Sequence, residues 1–366
     1  MVHTPQDHIE STGQEFDPFV HEISIMRQII LERVHPLELP RELVSNSAAK
    51  EVGASEIRIK YTVDDAGHIF EVTDNGCGMN YTGDHNNPGR LDRFFGLGLS
   101  SIVGIKSDEF SWKGLGSKLS YHSYRIEIDT VTANGDAHRV QINEPWSSIE
   151  RNLKPRPKIF HYRAEPGRGA GTSIRVVGHP PHRQDDPFSI EKIESYLRHR
   201  TFIGYTQHRP NPPIVTLSVL GKTRALSVGF QELQLVESSP PQEGTLRINK
   251  TDQMTKSGTN KTVAACIRGF ITWDSERYSL SESQLNCGLI LSVRGIPYFS
   301  LDMEQCGSRS MGISNPGWKK CCLILECDAI QEDMNISRSA LVDSEKVKLL
   351  RQLTTQMEGV PSLVEN

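Results

Sequence analysis

The stretch Ile69-Phe70-Glu71-Val72-Thr73-Asp74-Asn75-Gly76-Cys77-Gly78-Met79 decides how this chain reads. Its first half has the look of a strand and delivers a carboxylate, Asp74, at the strand end. Two glycines follow, so the backbone can be lowered into a pocket with no side chains in the way. Upstream, Ile57, Ile59, Tyr61 and Val63 alternate along an earlier strand, and Arg41-Glu42-Leu43-Val44-Ser45-Asn46 reads as helix. Glu42 and Asn46 are four apart, which sets them side by side on one helix face. An acid and an amide on that face, with a carboxylate at a strand terminus, suggest a nucleotide site built without a Walker loop.

Each residue type suits a part of that chemistry. The amide oxygen of Asn46 suits a Mg2+ ion that carries phosphates, and Glu42 can polarise an attacking water. Asp74 can accept a hydrogen bond from an exocyclic amine such as N6 of adenine. That match selects adenine over guanine, because a site that loses its partner is left with an unpaired polar group. Gly76 and Gly78 open the approach, and Met79 offers a soft apolar wall. In Gly114-Leu115-Gly116-Ser117-Lys118, backbone N–H groups can wrap an anion while Lys118 supplies point charge. Gly171-Thr172 opens a strand, and its hydroxyl can bond the Asp74 carboxylate or a bridging water. Taken singly, each has an ordinary alternative: a solvated helix face, an Asp-Asn-Gly turn, a β-branched strand residue. Their joint occurrence favours the site.

The rest of the chain sets bounds. Its 366 residues suffice for two cores, and 36% hydrophobic with 23% charged residues is ordinary for a globular protein. A net charge of −4 gives no overall basic bias toward nucleic acid, although the tracts Arg151–Arg168 and Arg198–Arg209 are locally basic. No apolar run approaches the ~20 residues of a membrane helix, and the N-terminus lacks a signal-peptide pattern. The seven cysteines show no CxxC pair, so the expectation is reduced thiols in a cytoplasmic protein without membrane contact.

Residues 1–17 read as a flexible arm, and 18–34 as an amphipathic helix. A second helix starts near Pro40 and runs to about Val52, with Gly53 as its stop. Between Asn80 and Gly116 periodicity fails and glycine is dense, so 80–116 reads as a long functional loop. Strands are expected at 124–132, 139–142, 172–177 and 214–220, and a helix at 190–200. Residues 236–246, with Pro240-Pro241, read as a linker between a first unit (18–235) and a second (247–366). In the second, 263–273, 288–293 and 322–326 look like strands and 344–357 like a helix. Two decoys stand apart. Gly221-Lys222-Thr223 resembles a P-loop ending but lacks the preceding loop, and the prolines of His179-Pro180-Pro181-His182 block a helical metal clip.

In order, Glu42-x-x-x-Asn46, Asp74-x-Gly76-x-Gly78, a glycine-rich segment, Gly114-x-Gly116 and Gly171-Thr172 resemble the GHKL (Bergerat-fold) ATPases across residues 37–180. That superfamily includes the ninety-kilodalton heat-shock chaperones, MutL, type IIB topoisomerases, MORC proteins and histidine kinases. The resemblance implies an α+β two-layer sandwich followed by a smaller α/β transducer-like domain. It implies ATP and Mg2+ as ligands, Glu42 as general base, Asn46 as the Mg2+ ligand and Asp74 as the adenine acceptor. Gly78 would lie beside the base, Thr172 would assist, and Gly114, Gly116 and Lys118 would hold phosphates once a lid at 80–116 closes. Asp333-Met334-Asn335-Ile336-Ser337-Arg338 is similar to the chaperones' arginine loop, which implies Arg338 as a catalytic arginine reaching the γ-phosphate. The expectation is a chaperone-like, ATP-driven clamp that dimerises through its N-terminal region and acts on a protein client. A MORC- or MutL-like clamp on nucleic acid, in repair or defence, is the alternative, and a scaffold that binds nucleotide without hydrolysing it is a third. Ala49 stands where relatives often carry a second acid, and the glutamine that the chaperones place near the arginine loop is absent.

Overall fold

A computed structural model describes residues 21–32, 35–49, 51–96, 116–181, 187–204, 211–226, 249–255, 262–271, 288–293, 296–301, 321–327, 330, 333, 344 and 347–348. The expected arm at 1–17, the linker at 236–246, Gly114 and Arg338 lie outside the described residues, as does most of the helix expected at 344–357.

Helix α1 (Glu22–Leu31) begins where the His21 ring accepts the Ser24 N–H, and it buries Met26, Ile29 and Ile30. Helix α2 (Glu38–Ser47) buries nearly every residue on its length, charged ones included. Strands β1 (Glu56–Asp64) and β2 (Gly67–Asp74) pair antiparallel, and α2 packs across both. The short helix α3 (Arg90–Phe95) and a 3-10 turn at Gly116–Tyr121 come next. They are followed by β3 (Arg125–Val131), β4 (Asp136–Asn143), α4 (Pro145–Glu150), β5 (Lys158–Arg163) and β6 (Gly171–Val177). Helix α5 (Ile190–Arg200), capped by the Ser189 hydroxyl, leads to β7 (Ile214–Val219) and β8 (Lys222–Leu226). The eight strands form one mixed sheet ordered β5-β4-β3-β6-β2-β1-β7-β8, in which β1–β7 is the parallel pair. The chain is thus of the α+β class.

Alternation places the core. Ile57, Ile59 and Tyr61 of β1, Ile126 and Ile128 of β3, Ile174 and Val176 of β6, and Val215 and Leu217 of β7 are all buried. Each large aliphatic side chain so buried is worth about 1.5–3 kcal/mol over exposure. The residues between them point the other way and carry ion pairs such as Arg175–Glu127 and Arg139–Asp129. One face is therefore core and the other charged, the pattern of an antiparallel sheet covered on one side.

A second, five-stranded sheet is built from β9 (Asn249–Thr255), β10 (Thr262–Ile271), β11 (Gly288–Val293), β12 (Ile296–Leu301) and β13 (Cys321–Glu326), ordered β12-β11-β13-β10-β9.

Several expectations are corrected. Helix α2 ends at Ser47 and not near Val52; Gly53 does adopt a left-handed φ of +65°, but in the turn after the helix. The expected structureless stretch after Asn80 contains α3. The strand expected at 214–220 does not close the sheet, because β8 follows it through a hairpin whose turn residues Leu220 and Gly221 both have positive φ, as a type I′ turn requires.

Candidate functional site

Sheet register builds the floor of the site. Asp74, the last residue of β2, pairs with Thr172 of β6, and Thr172 pairs with Thr130 of β3. The three therefore form one row across adjacent strands on the buried face. The Thr130 and Thr172 hydroxyls are 3.0 Å apart, and Thr130 Oγ1 accepts the Met79 N–H at 2.7 Å. The Thr172 hydroxyl thus meets Thr130, where the sequence suggests the Asp74 carboxylate or a bridging water as its partner.

The loop after Asp74 is fixed at each residue. Asn75 Oδ1 accepts the backbone N–H groups of Ser55 and Glu56, both at 2.9 Å, which ties the loop to the start of β1. Gly76 donates its N–H to Asp74 Oδ1 at 3.0 Å, and a Cβ there would lie 2.3 Å from a Val52 methyl. Gly78 has φ +73°, and a Cβ on it would lie 2.0 Å from the Val131 carbonyl oxygen. Both glycines are therefore demanded by close backbone approach.

Six of the residues nominated by the sequence converge on one cavity of about 110 Å3. Asn46, Asp74, Gly78, Met79, Ser117 and Thr172 all line it. It has room for about four waters at ~30 Å3 each, or for a group the size of a purine ring. A larger cavity of about 450 Å3 lies along the other side of α3, lined by Leu91, Asp92 and Phe95, and it holds none of the nominated residues.

Asp74 carries the polar identity of the smaller cavity. The Ser47 hydroxyl donates to its Oδ2 at 2.8 Å, opposite the Gly76 N–H on Oδ1. Burial raises the Asp74 carboxyl above its ordinary range, and the Ser47, Gly76 and Thr172 hydrogen bonds and the Arg90 charge only partly offset this. An ionised carboxylate has about four lone-pair sites, so acceptor capacity remains for a ligand donor. Met79 and Ile174 supply apolar wall.

Glu42 stands apart from this cavity. It is 2% exposed, bonded to the Arg41 guanidinium, and does not line the wall. Arg41 also holds Glu38 at 3.0 Å. Burial alone would raise the Glu38 carboxyl, but Arg41, the Tyr196 hydroxyl and Arg200 together keep it below its ordinary range. Gly116, expected near phosphates, backs directly onto the Glu42 carboxylate. Lys118 is fully buried, and its Nζ donates to the carbonyls of Arg93 and Phe94 and to Ser117 Oγ. Burial pushes its ammonium down to about 7. Its Nζ therefore sits against the last carbonyls of α3 and beside Ser117, and Lys118 itself is not among the residues that line the cavity.

Other lining residues were missed: Ser47 at the end of α2, Glu51 and Val52 after it, and Arg90, Arg93 and Phe94 of α3. Ser47 had a signal, since it follows Asn46 on the same helix. The α3 residues had none, because six residues show too little periodicity. Among the described residues no group of three His, Cys, Asp or Glu is placed to hold a metal ion. The donor set still fits Mg2+, which is usually held by substrate phosphates, waters and one or two protein oxygens. Here the Asn46 amide oxygen would be that protein ligand. Neither any protein-family model nor any curated protein matches this sequence.

Proposed function

We propose that the chain is a Mg-dependent ATPase of the GHKL type that works as a conformational switch. The observation that carries this reading is the convergence of Asn46, Asp74, Gly78, Met79, Ser117 and Thr172, far apart in sequence, on one cavity with a buried carboxylate at its floor. Asp74 accepts the adenine amino group, Met79 and Ile174 pack on the ring faces, and Asn46 holds the metal that neutralises phosphate charge.

Hydrolysis needs a base, and Glu42 is the candidate. Its carboxylate is buried, held by Arg41 and outside the cavity wall, so reaching a water at the nucleotide requires α2 or its surroundings to shift. This makes turnover conditional on a rearrangement around α2, as suits a switch more than a metabolic enzyme. Dimerisation through the N-terminal region, a protein client and a contribution from Arg338 belong to the same proposal.

The Arg41–Glu42 pair also favours a second reading, a nucleotide-binding scaffold that does not hydrolyse. One experiment separates them. ATP binding is measured by calorimetry, and phosphate release by a coupled assay, for the wild type and Glu42→Ala. Binding by both with release by the wild type alone supports the ATPase. Binding without release by either supports the scaffold, and unchanged release in Glu42→Ala removes Glu42 from the chemistry.

A further inference from the structure

Glu51 is an acidic residue of the cavity wall that the proposed function leaves unused. It sits in the turn after α2, where the backbone is pinned. Its carbonyl accepts Arg90 Nη2 at 2.8 Å, and the neighbouring Val52 carbonyl accepts the Cys77 N–H at 2.9 Å. Glu51 lines the cavity, and its Oε2 is sealed from solvent with no hydrogen-bond donor. Arg90, the guanidinium tied to this turn, is already committed, with Nη1 on the Cys77 thiol at 2.7 Å and Nη2 on the Glu51 carbonyl. A sealed carboxylate oxygen without a donor is costly and rare, and where it persists in a cavity wall it marks a place for a ligand donor. Rotation about the terminal torsion of a glutamate is soft, so either oxygen can be turned to such a donor.

We infer that Glu51 is a specificity-determining residue that accepts a hydrogen bond from a ribose hydroxyl of the bound nucleotide. This rests on the ATP reading of the cavity. An adenine nucleotide offers two kinds of donor, the N6 amino group and the sugar hydroxyls, because its ionised phosphates only accept. Asp74 takes the amino group, which leaves the hydroxyls for the second carboxylate. An acidic residue accepting from a ribose hydroxyl is also the chemistry by which dinucleotide sites recognise their sugar.

The test is calorimetry on the full chain with Mg·ATP, Mg·2′-deoxyATP, Mg·3′-deoxyATP and Mg·GTP, for the wild type and Glu51→Gln. A hydrogen bond to a charged group is worth about tenfold or more in affinity. The wild type is therefore expected to bind at least one deoxy analogue about tenfold more weakly than ATP. In Glu51→Gln the gap should shrink to about threefold or less, with the melting temperature unchanged or raised. Selective binding of ATP over GTP with no loss on either deoxy analogue overturns the role of Glu51 and leaves the Asp74 reading standing. Equal weakening of all adenine nucleotides by Glu51→Gln, with a lowered melting temperature, overturns it as well and makes the residue structural. No binding of ATP by the wild type overturns the cavity reading, and this inference with it.

Discussion

Gly116 and Glu42 occupy one space: a Cβ built on Gly116 would sit 1.9 Å from Glu42 Oε2 and 2.4 Å from its carboxyl carbon. Gly116 thus closes the back of a compartment in which Glu42 is held by Arg41. Gly116→Ala must displace a buried, ion-paired carboxylate, and overpacking of this kind costs about 1–3 kcal/mol. Urea denaturation is expected to show that loss. Gly169→Ala is the control, because nothing lies within 4 Å of its Cβ position, and a change within about 0.5 kcal/mol is expected there.

Arg41 holds two carboxylates, the half-buried Glu38 and the buried Glu42. Removing one partner of a buried pair leaves uncompensated charge and costs about 3–5 kcal/mol. Arg41→Met is expected to fall in that range by equilibrium denaturation. The double variant Arg41→Met/Glu42→Gln should recover part of the loss, because the orphaned charge at position 42 is gone. Additive costs would mean that Arg41 acts through packing alone.

The strands that carry the site are legible because their burial alternates. Ile57, Ile59 and Tyr61 announce β1, and Asp74 falls at the end of β2 as its sequence suggests. What escapes the sequence is structure made by tertiary contacts. Helix α3 is too short to show a period. It is held by Asp92, which accepts the N–H groups of Thr82 and Gly89, and by Lys118, which caps its last carbonyls. Ala48, Ala49 and Glu51 are good helix formers, yet α2 stops at Ser47 because the Gly76-Cys77 loop packs against Val52. The same burial hides the true surroundings of Lys118 and Glu42: residue type nominates a charge for a ligand, and only packing reveals that a carbonyl or guanidinium holds it.

Under the proposed function, Asp74 is expected to make nucleotide binding sensitive to acid. Burial raises its carboxyl, so the folded protein takes up this proton more readily than the unfolded chain does, and the contribution of Asp74 to stability declines as pH rises from about 3.8 through the raised value. Ligand binding runs the other way. Both oxygens already accept donors from Ser47 and Gly76, and a proton on either disturbs that arrangement and removes acceptor capacity. ATP affinity is therefore expected to weaken as pH falls through the raised carboxyl value, by up to about tenfold per unit. Calorimetry across that range, with folding checked by circular dichroism, measures it. Asp74→Asn should bind weakly at every pH, with that dependence gone.

His179 supplies an acid-labile point in the core. It packs edge-on against Phe70 and His122, and its Nδ1 lies 2.9 Å from the His122 carbonyl, to which the neutral ring donates. Burial, then the neighbouring His122 charge, push its imidazole down to about 3. The unfolded chain protonates this ring near pH 6.5, so between that value and about 3 the unfolded state binds one more proton. Stability accordingly rises with pH across this window, and acidification below 6.5 removes about 1.4 kcal/mol per unit from this one site. Urea denaturation at pH 7 and pH 5.5 should register a loss of about 1 kcal/mol from His179. His179→Gln keeps a donor toward the His122 carbonyl and cannot titrate, so its stability should fall less over the same interval. An equal fall in both proteins would assign the acid sensitivity to other groups.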